Sequence, residues 1–184
     1  TILLALCLGP AVMWAQPGDG SFDFTPTPSS GTVLGQLTLE GVPCEADDWV
    51  AAFDADGVCA GSAQLIAYGG AAYMVLTIYG DDATTSAVDE GLVSGGTFTL
   101  MLYDADADTV YTWNEGFGDP EISGWTASNG AYIPGLDDTD AVYDFVPMRW
   151  GCMDAGFLEF DAYANLSDGS CLSPVVFGCL DDSF

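Results

Sequence analysis

The chain has 184 residues, 49% of them apolar, with 28 acidic residues against one basic residue and no histidine, a formal net charge of −27. Those figures suit one medium domain plus a small appendage. They exclude nucleic acid, whose phosphates need lysine and arginine, disfavour anionic membrane surfaces, and leave no histidine for a Ser-His-Asp or Cys-His pair.

Residues 1–20 open with the uncharged run TILLALCLGPAVMWAQ. Broken by Gly9 and Pro10, it is too short to span a membrane as a helix, so no direct membrane insertion is predicted. Two readings stand side by side. One is the apolar region of a secretory signal, cleaved near Ala15 or Gln16, with its initiator Met and basic residues missing. The other is a donor strand that adds to the sheet of a neighbouring subunit, with Ile2, Leu3, Leu4, Leu6, Leu8, Val12 and Trp14 as the assembly residues.

Residues 21–146 read as short β runs separated by Gly, Asp and Pro. The runs are FDFTPTP, TVLGQLTL, WVAAF, VCAGSAQLIAY, AAYMVLTIY, TFTLMLY, TVYTW and AVYDF. Their length and their Val, Thr, Tyr and Phe content predict strands, and Asp-Gly in DADG predicts a hairpin. No stretch has sustained helical periodicity. The fold class is therefore all-β, a β-sandwich or jelly-roll-like domain, followed by a linker at 147–150.

Within this body, Asp104, Asp106 and Asp108 alternate in DADADTVYTWNE, with Glu115 eleven residues after Asp104. The spacing imitates a calcium loop, but Thr109 stands where an EF-hand needs glycine and the flanks are strands. These acids are candidate calcium ligands of a low-affinity extracellular kind, set against an ordinary acidic hairpin tip. Trp113 and Trp125 flank the loop NEGFGDPEISG and are the candidates for stacking on a sugar. A core role is the commoner fate of such rings. Paired carboxylates could serve a glycosidase, but acids are so abundant here that two close together carry little information. No enzymatic activity is predicted.

Six cysteines occur with no CxxC, which argues against zinc and for disulfides in an oxidising compartment. The local pairs are Cys44 with Cys59 and Cys152 with Cys171, leaving Cys7 and Cys179 over. Residues 151–177 form a small cysteine-bounded unit that contains the phrase GCMDAGFLEFDAYANLSDGSC. Asp154, Asp161 and Asp168 are further candidate calcium ligands, because so small a unit needs a covalent or metal staple. Asn165 heads an N-x-Ser sequon. Residues 178–184 begin the phrase again as GCLDDSF and break off, so a longer chain is expected.

The phrase from Gly151 to Cys171 resembles the cysteine-bounded repeat of large secreted Bacteroidota proteins, of the form G-C-x-D-x-x-x-x-N-Y-x-P-x-A-x-x-D-D-G-S-C. Gly151, Cys152, Asp154, Ala164, Asp168, Gly169, Ser170 and Cys171 match it. Glu159, Phe160 and Ala162 depart from it. Asp108-Thr109-Val110 resembles the motif at which such bacteria O-glycosylate exported proteins, making Thr109 a candidate site. The resemblance implies an exported, multidomain surface protein and carries no implication of catalytic activity, and it points toward extracellular fibrils. The expectation is a structural subunit of an extracellular or cell-surface filament. Its partners would be copies of itself, joined head-to-tail in a homopolymer. The alternative is a carbohydrate-binding or adhesin module whose partners are glycans. Calcium is the only cofactor suggested.

Overall fold

The computed structural model describes residues 16–82, 84–85, 88–112, 121–147, 149–164 and 166–176. Among them every regular element is a strand. The assembly residues Ile2 to Trp14, Cys7, Trp113, Glu115, Asn165, Cys179 and the second repeat lie outside the described residues.

Two sheets make a β-sandwich. The first is built on β1 (Ser30–Leu39), which pairs antiparallel with β2 (Val42–Pro43) and with β6 (Ala71–Tyr79). The hairpin partner β5 (Ile66–Tyr68) extends it beyond β6, and β9 (Val142–Phe145) joins β1 in parallel. The second sheet has the order β4 (Cys59–Gln64), β3 (Trp49–Phe53), β7 (Thr99–Asp104), β8 (Thr109–Thr112).

The sandwich follows from period-two alternation, which points successive side chains to opposite faces. In β6, Ala72, Met74, Leu76 and Ile78 are buried while Tyr73, Val75, Thr77 and Tyr79 face outward. The inward residues meet Val50, Ala52, Leu100 and Leu102 of the second sheet. Phe98, Trp125 and Phe145 close the ends of this core.

Two of the predicted strands come out differently. FDFTPTP forms no strand; Pro26 and Pro28 have no N–H to give a ladder. Instead Phe22 is fully buried on the outer face of the second sheet, and the Thr27 hydroxyl donates to the Gly80 carbonyl at 2.7 Å. VCAGSAQLIAY is one run in sequence but divides at Leu65 into β4, in the second sheet, and β5, in the first. A bulge opposite Ala52 and Phe53 bends it. Where it passes β6, Gly61 is required: a Cβ there would lie 2.2 Å from the Thr77 carbonyl oxygen. The DADG hairpin between β3 and β4 forms as predicted. The Asp54 carboxylate accepts the N–H groups of Asp56 and Val58, and Gly57 takes φ +84°.

The tail follows as β10 (Trp150–Gly151) and β11 (Leu166–Ser167), paired in parallel. A disulfide joins Cys152 to Cys171, with 4.9 Å between their Cα atoms. Arg149, at the junction, meets Glu40 at 3.3 Å and lies 5.9 Å over the Tyr163 ring.

Candidate functional site

The acidic hairpin tip joins β7 to β8. Here the carboxylates are engaged by their own turn. The Asp104 carboxylate accepts the N–H of Ala107 at 2.9 Å, and that of Asp108 accepts the Tyr103 hydroxyl at 2.9 Å, which pushes the phenol's pKa up. Asp106 points to solvent. The residue that anchors the tip is Asp48, which sequence reasoning passed over. It is buried, and its two oxygens accept the N–H groups of Glu45 and Ala105. Burial raises its pKa, and those two hydrogen bonds work against the rise. Thr109 is exposed at the first position of β8, with its hydroxyl donating to the Ala107 carbonyl.

In the tail, Asp154, Asp161 and Asp168 each fold back on the backbone two residues ahead, accepting the N–H groups of Gly156, Tyr163 and Ser170. Glu159 reaches further and accepts from Leu172 and Ser173, which ties the chain after the disulfide to the loop before it. Hydrogen bonds, from Ser173 first, hold its pKa below the ordinary glutamate value; Ser170 does the same for Asp168. Among the described residues, no three acids or cysteines converge where one ion would sit. Of the candidate calcium ligands, Asp104, Asp154, Asp161 and Asp168 accept N–H groups of their own turns, Asp108 accepts the Tyr103 hydroxyl, and Asp106 is exposed.

The cysteine pair of the body does not form. Cys44 and Cys59 are free and buried. They lie on different sides of the second sheet: Cys44 in the cluster between the sheets, Cys59 in a separate cluster on the outer face. Burial first, then the charges of Asp48, Asp104 and Asp144, push the Cys44 thiol up to about 12. Burial pushes that of Cys59 up to about 11. Trp125 is corrected likewise. It is 1% exposed and belongs to the main core, so it offers no face to a sugar. Its ring fills the space that Gly80 leaves, where a Cβ would lie 2.5 Å from it.

Three surface features remain. A cleft of about 590 Å³ is walled by Asp54, Asp56, Asp81 and Asp89 together with Val93 and Thr97. Among the described residues, the buried Oδ1 of Asp81 there has no hydrogen-bond partner. Strand β8 pairs only with β7 among the described residues, so its other edge ends the second sheet. The outer face of the first sheet exposes Ile66, Tyr68, Val75 and Val142. Sequence reasoning missed this face, although the absence of any acid between Asp56 and Asp81 marks two of its strands. Comparison with protein-family models, curated proteins and solved structures gave no match.

Proposed function

We propose that the protein is a structural subunit of an extracellular or cell-surface filament, assembling by addition of the apolar N-terminal segment to the sheet of the next copy. The observation that carries this reading is the edge of β8. Its sequence, TVYT, has no lysine, proline or charge within it, the devices by which sheets blunt an edge against pairing. Residues 1–15, equally uncharged, would supply the added strand. Added beside β8, their outward side chains would extend the outer-face cluster of Phe22, Phe53 and Tyr103 past Val110. Such a contact is head-to-tail and propagates. The disulfide in the tail accords with an exported location.

Electron microscopy of the purified full chain tests this. Filaments are expected, and a chain lacking residues 1–15 should form none. Isolated particles at high concentration would overturn the reading. A carbohydrate-binding or adhesin role is the second reading, favoured by the exposed rings of Tyr68 and Tyr132; a glycan array tests it.

A further inference from the structure

The outer face of the first sheet departs from the rest of the surface in its charge. No acid occurs between Asp23 and Glu40 or between Asp56 and Asp81, so β1, β5 and β6 contribute none. The register aligns one row straight across four strands: Val142 on β9, Gln36 on β1, Tyr73 on β6 and Ile66 on β5. Val75 stands in the next row, paired with Leu34, and Tyr68 ends the β5 edge. Val142 is 58% exposed, Ile66 53%, Val75 45% and Tyr68 77%. Asp144 is the acid that this face carries, at its rim. There the Thr38 hydroxyl and the Gly41 N–H hold its carboxylate at 2.6 Å and 2.8 Å.

We infer that this face docks against the same face of a second copy of the chain. Exposed apolar side chains grouped on one face of a sheet mark an interaction surface, and electrostatics selects the occupant. A basic partner would be drawn to the carboxylates that cover the remaining surface and would gain nothing from the uncharged face. Another copy carries the same −27 and is repelled wherever acids meet acids. This face, whose strands carry a single acid, Asp144, is where two copies approach with fewest like charges opposed. Pairing like face with like gives a two-fold contact that closes on itself. It is therefore lateral, distinct from strand addition at β8, which lies in the other sheet. Such a contact would stand beside the filament contact and does not depend on it.

Residual repulsion from the rim is screened by salt, so pairing should tighten as ionic strength rises. The test is sedimentation velocity of the full chain at about 50 mM and about 500 mM salt, with Val75→Glu and Tyr68→Asp alongside. The wild type is expected to pair, more tightly at high salt, with each variant weakening the pairing by about tenfold or more. Val75→Glu is accepted only with an unchanged melting curve. Tyr68→Asp, at the end of a strand, keeps the test alive if Val75→Glu disturbs packing. If filaments form, the same contact should appear by electron microscopy as side-by-side pairs that the variants separate without abolishing the filaments. If none form, sedimentation reads pairing directly, and only the filament reading falls. A wild type that stays monomeric at about 0.1 mM in high salt, or variants that associate as the wild type does, would overturn the inference. So would a monomer retarded on a neutral polysaccharide gel and released by Val75→Glu, which would make the face a sugar platform.

Discussion

The sandwich and the cysteine-bounded tail solve the same stability problem with different means. The sandwich buries large side chains such as Phe98, Trp125 and Phe145 between its sheets and adds a second cluster around Phe22 outside. Among the described residues, the tail buries little beyond Cys152 and Ala164, and it leaves Trp150, Leu158, Tyr163 and Leu172 exposed. A unit of that size gathers too little apolar area to offset chain entropy. It relies on one covalent link and on carboxylates that hold its turns. The contrast teaches where damage should spread. An injury to the body should be felt by the whole sandwich. An injury to the tail should stay local, because the two share little strand-to-strand packing and the exposed Arg149–Glu40 pair is a weak link.

The most severe way to probe this contrast is Phe145→Ala. The ring is fully buried in the main core, so the loss should be about 3–5 kcal/mol. Denaturant unfolding should show a lowered midpoint for the sandwich as a single transition. Next comes the disulfide. Its closed loop, a separation of 19 residues, should be worth about 3 kcal/mol to the tail. Cys171→Ala should therefore abolish hydrogen-exchange protection at residues 151–176 and leave the melting of the body unchanged. The same preparation checks the body's thiols. Cys44 and Cys59 should resist alkylation in the native protein and both react once it unfolds. Loss of the free thiols from unreduced, unfolded protein would restore the Cys44–Cys59 bridge that spacing suggests.

The smallest effect expected is a pH dependence confined to the tail. Glu159 has a lowered folded-state pKa, so its contribution is present above the ordinary glutamate range and is lost as pH falls through the lowered value. Asp168 acts in the same direction. Protection of Leu172 and Ser173 should fade with acid. Glu159→Ala should remove most of that dependence and leave the body's response to pH untouched. If the acid response is unchanged in Glu159→Ala, the carboxylate does not tie the tail.

Much of the fold is legible in the sequence, because alternation of a few residues decides which side chains a strand buries. AAYMVLTIY and TVLGQLTL announce both their strands and their inward faces. Sequence alone does not say to which sheet a run belongs, so VCAGSAQLIAY reads as a single strand, whereas the fold divides it at Leu65 between the two sheets. The failed cysteine pair has the same cause. A spacing of 15 residues between Cys44 and Cys59 is compatible with a bridge, but a sheet standing between two side chains leaves no mark in a spacing. Trp125 misleads because a ring beside a Gly-rich loop reads as exposed, whereas the room for it is made by Gly80, far away in the chain. The acids read two ways in sequence, as cation ligands or as turn formers, because short carboxylates next to turns have backbone N–H groups near at hand. The outer face of the first sheet does leave a trace in the sequence, as two long gaps between acids over β1, β5 and β6, but β9 and its Asp144 join that face only through the fold.

The division of one run between two sheets at Leu65 has a consequence for how the molecule comes apart. Because β4 and β5 are one stretch of chain enrolled in both sheets, neither sheet can peel away without dragging the other out of register. At Gly61 that stretch also rides directly on the backbone of β6, which pins the two sheets together at that point. Pulled from its ends, such a body should behave as a single mechanical fuse, intact until it fails all at once.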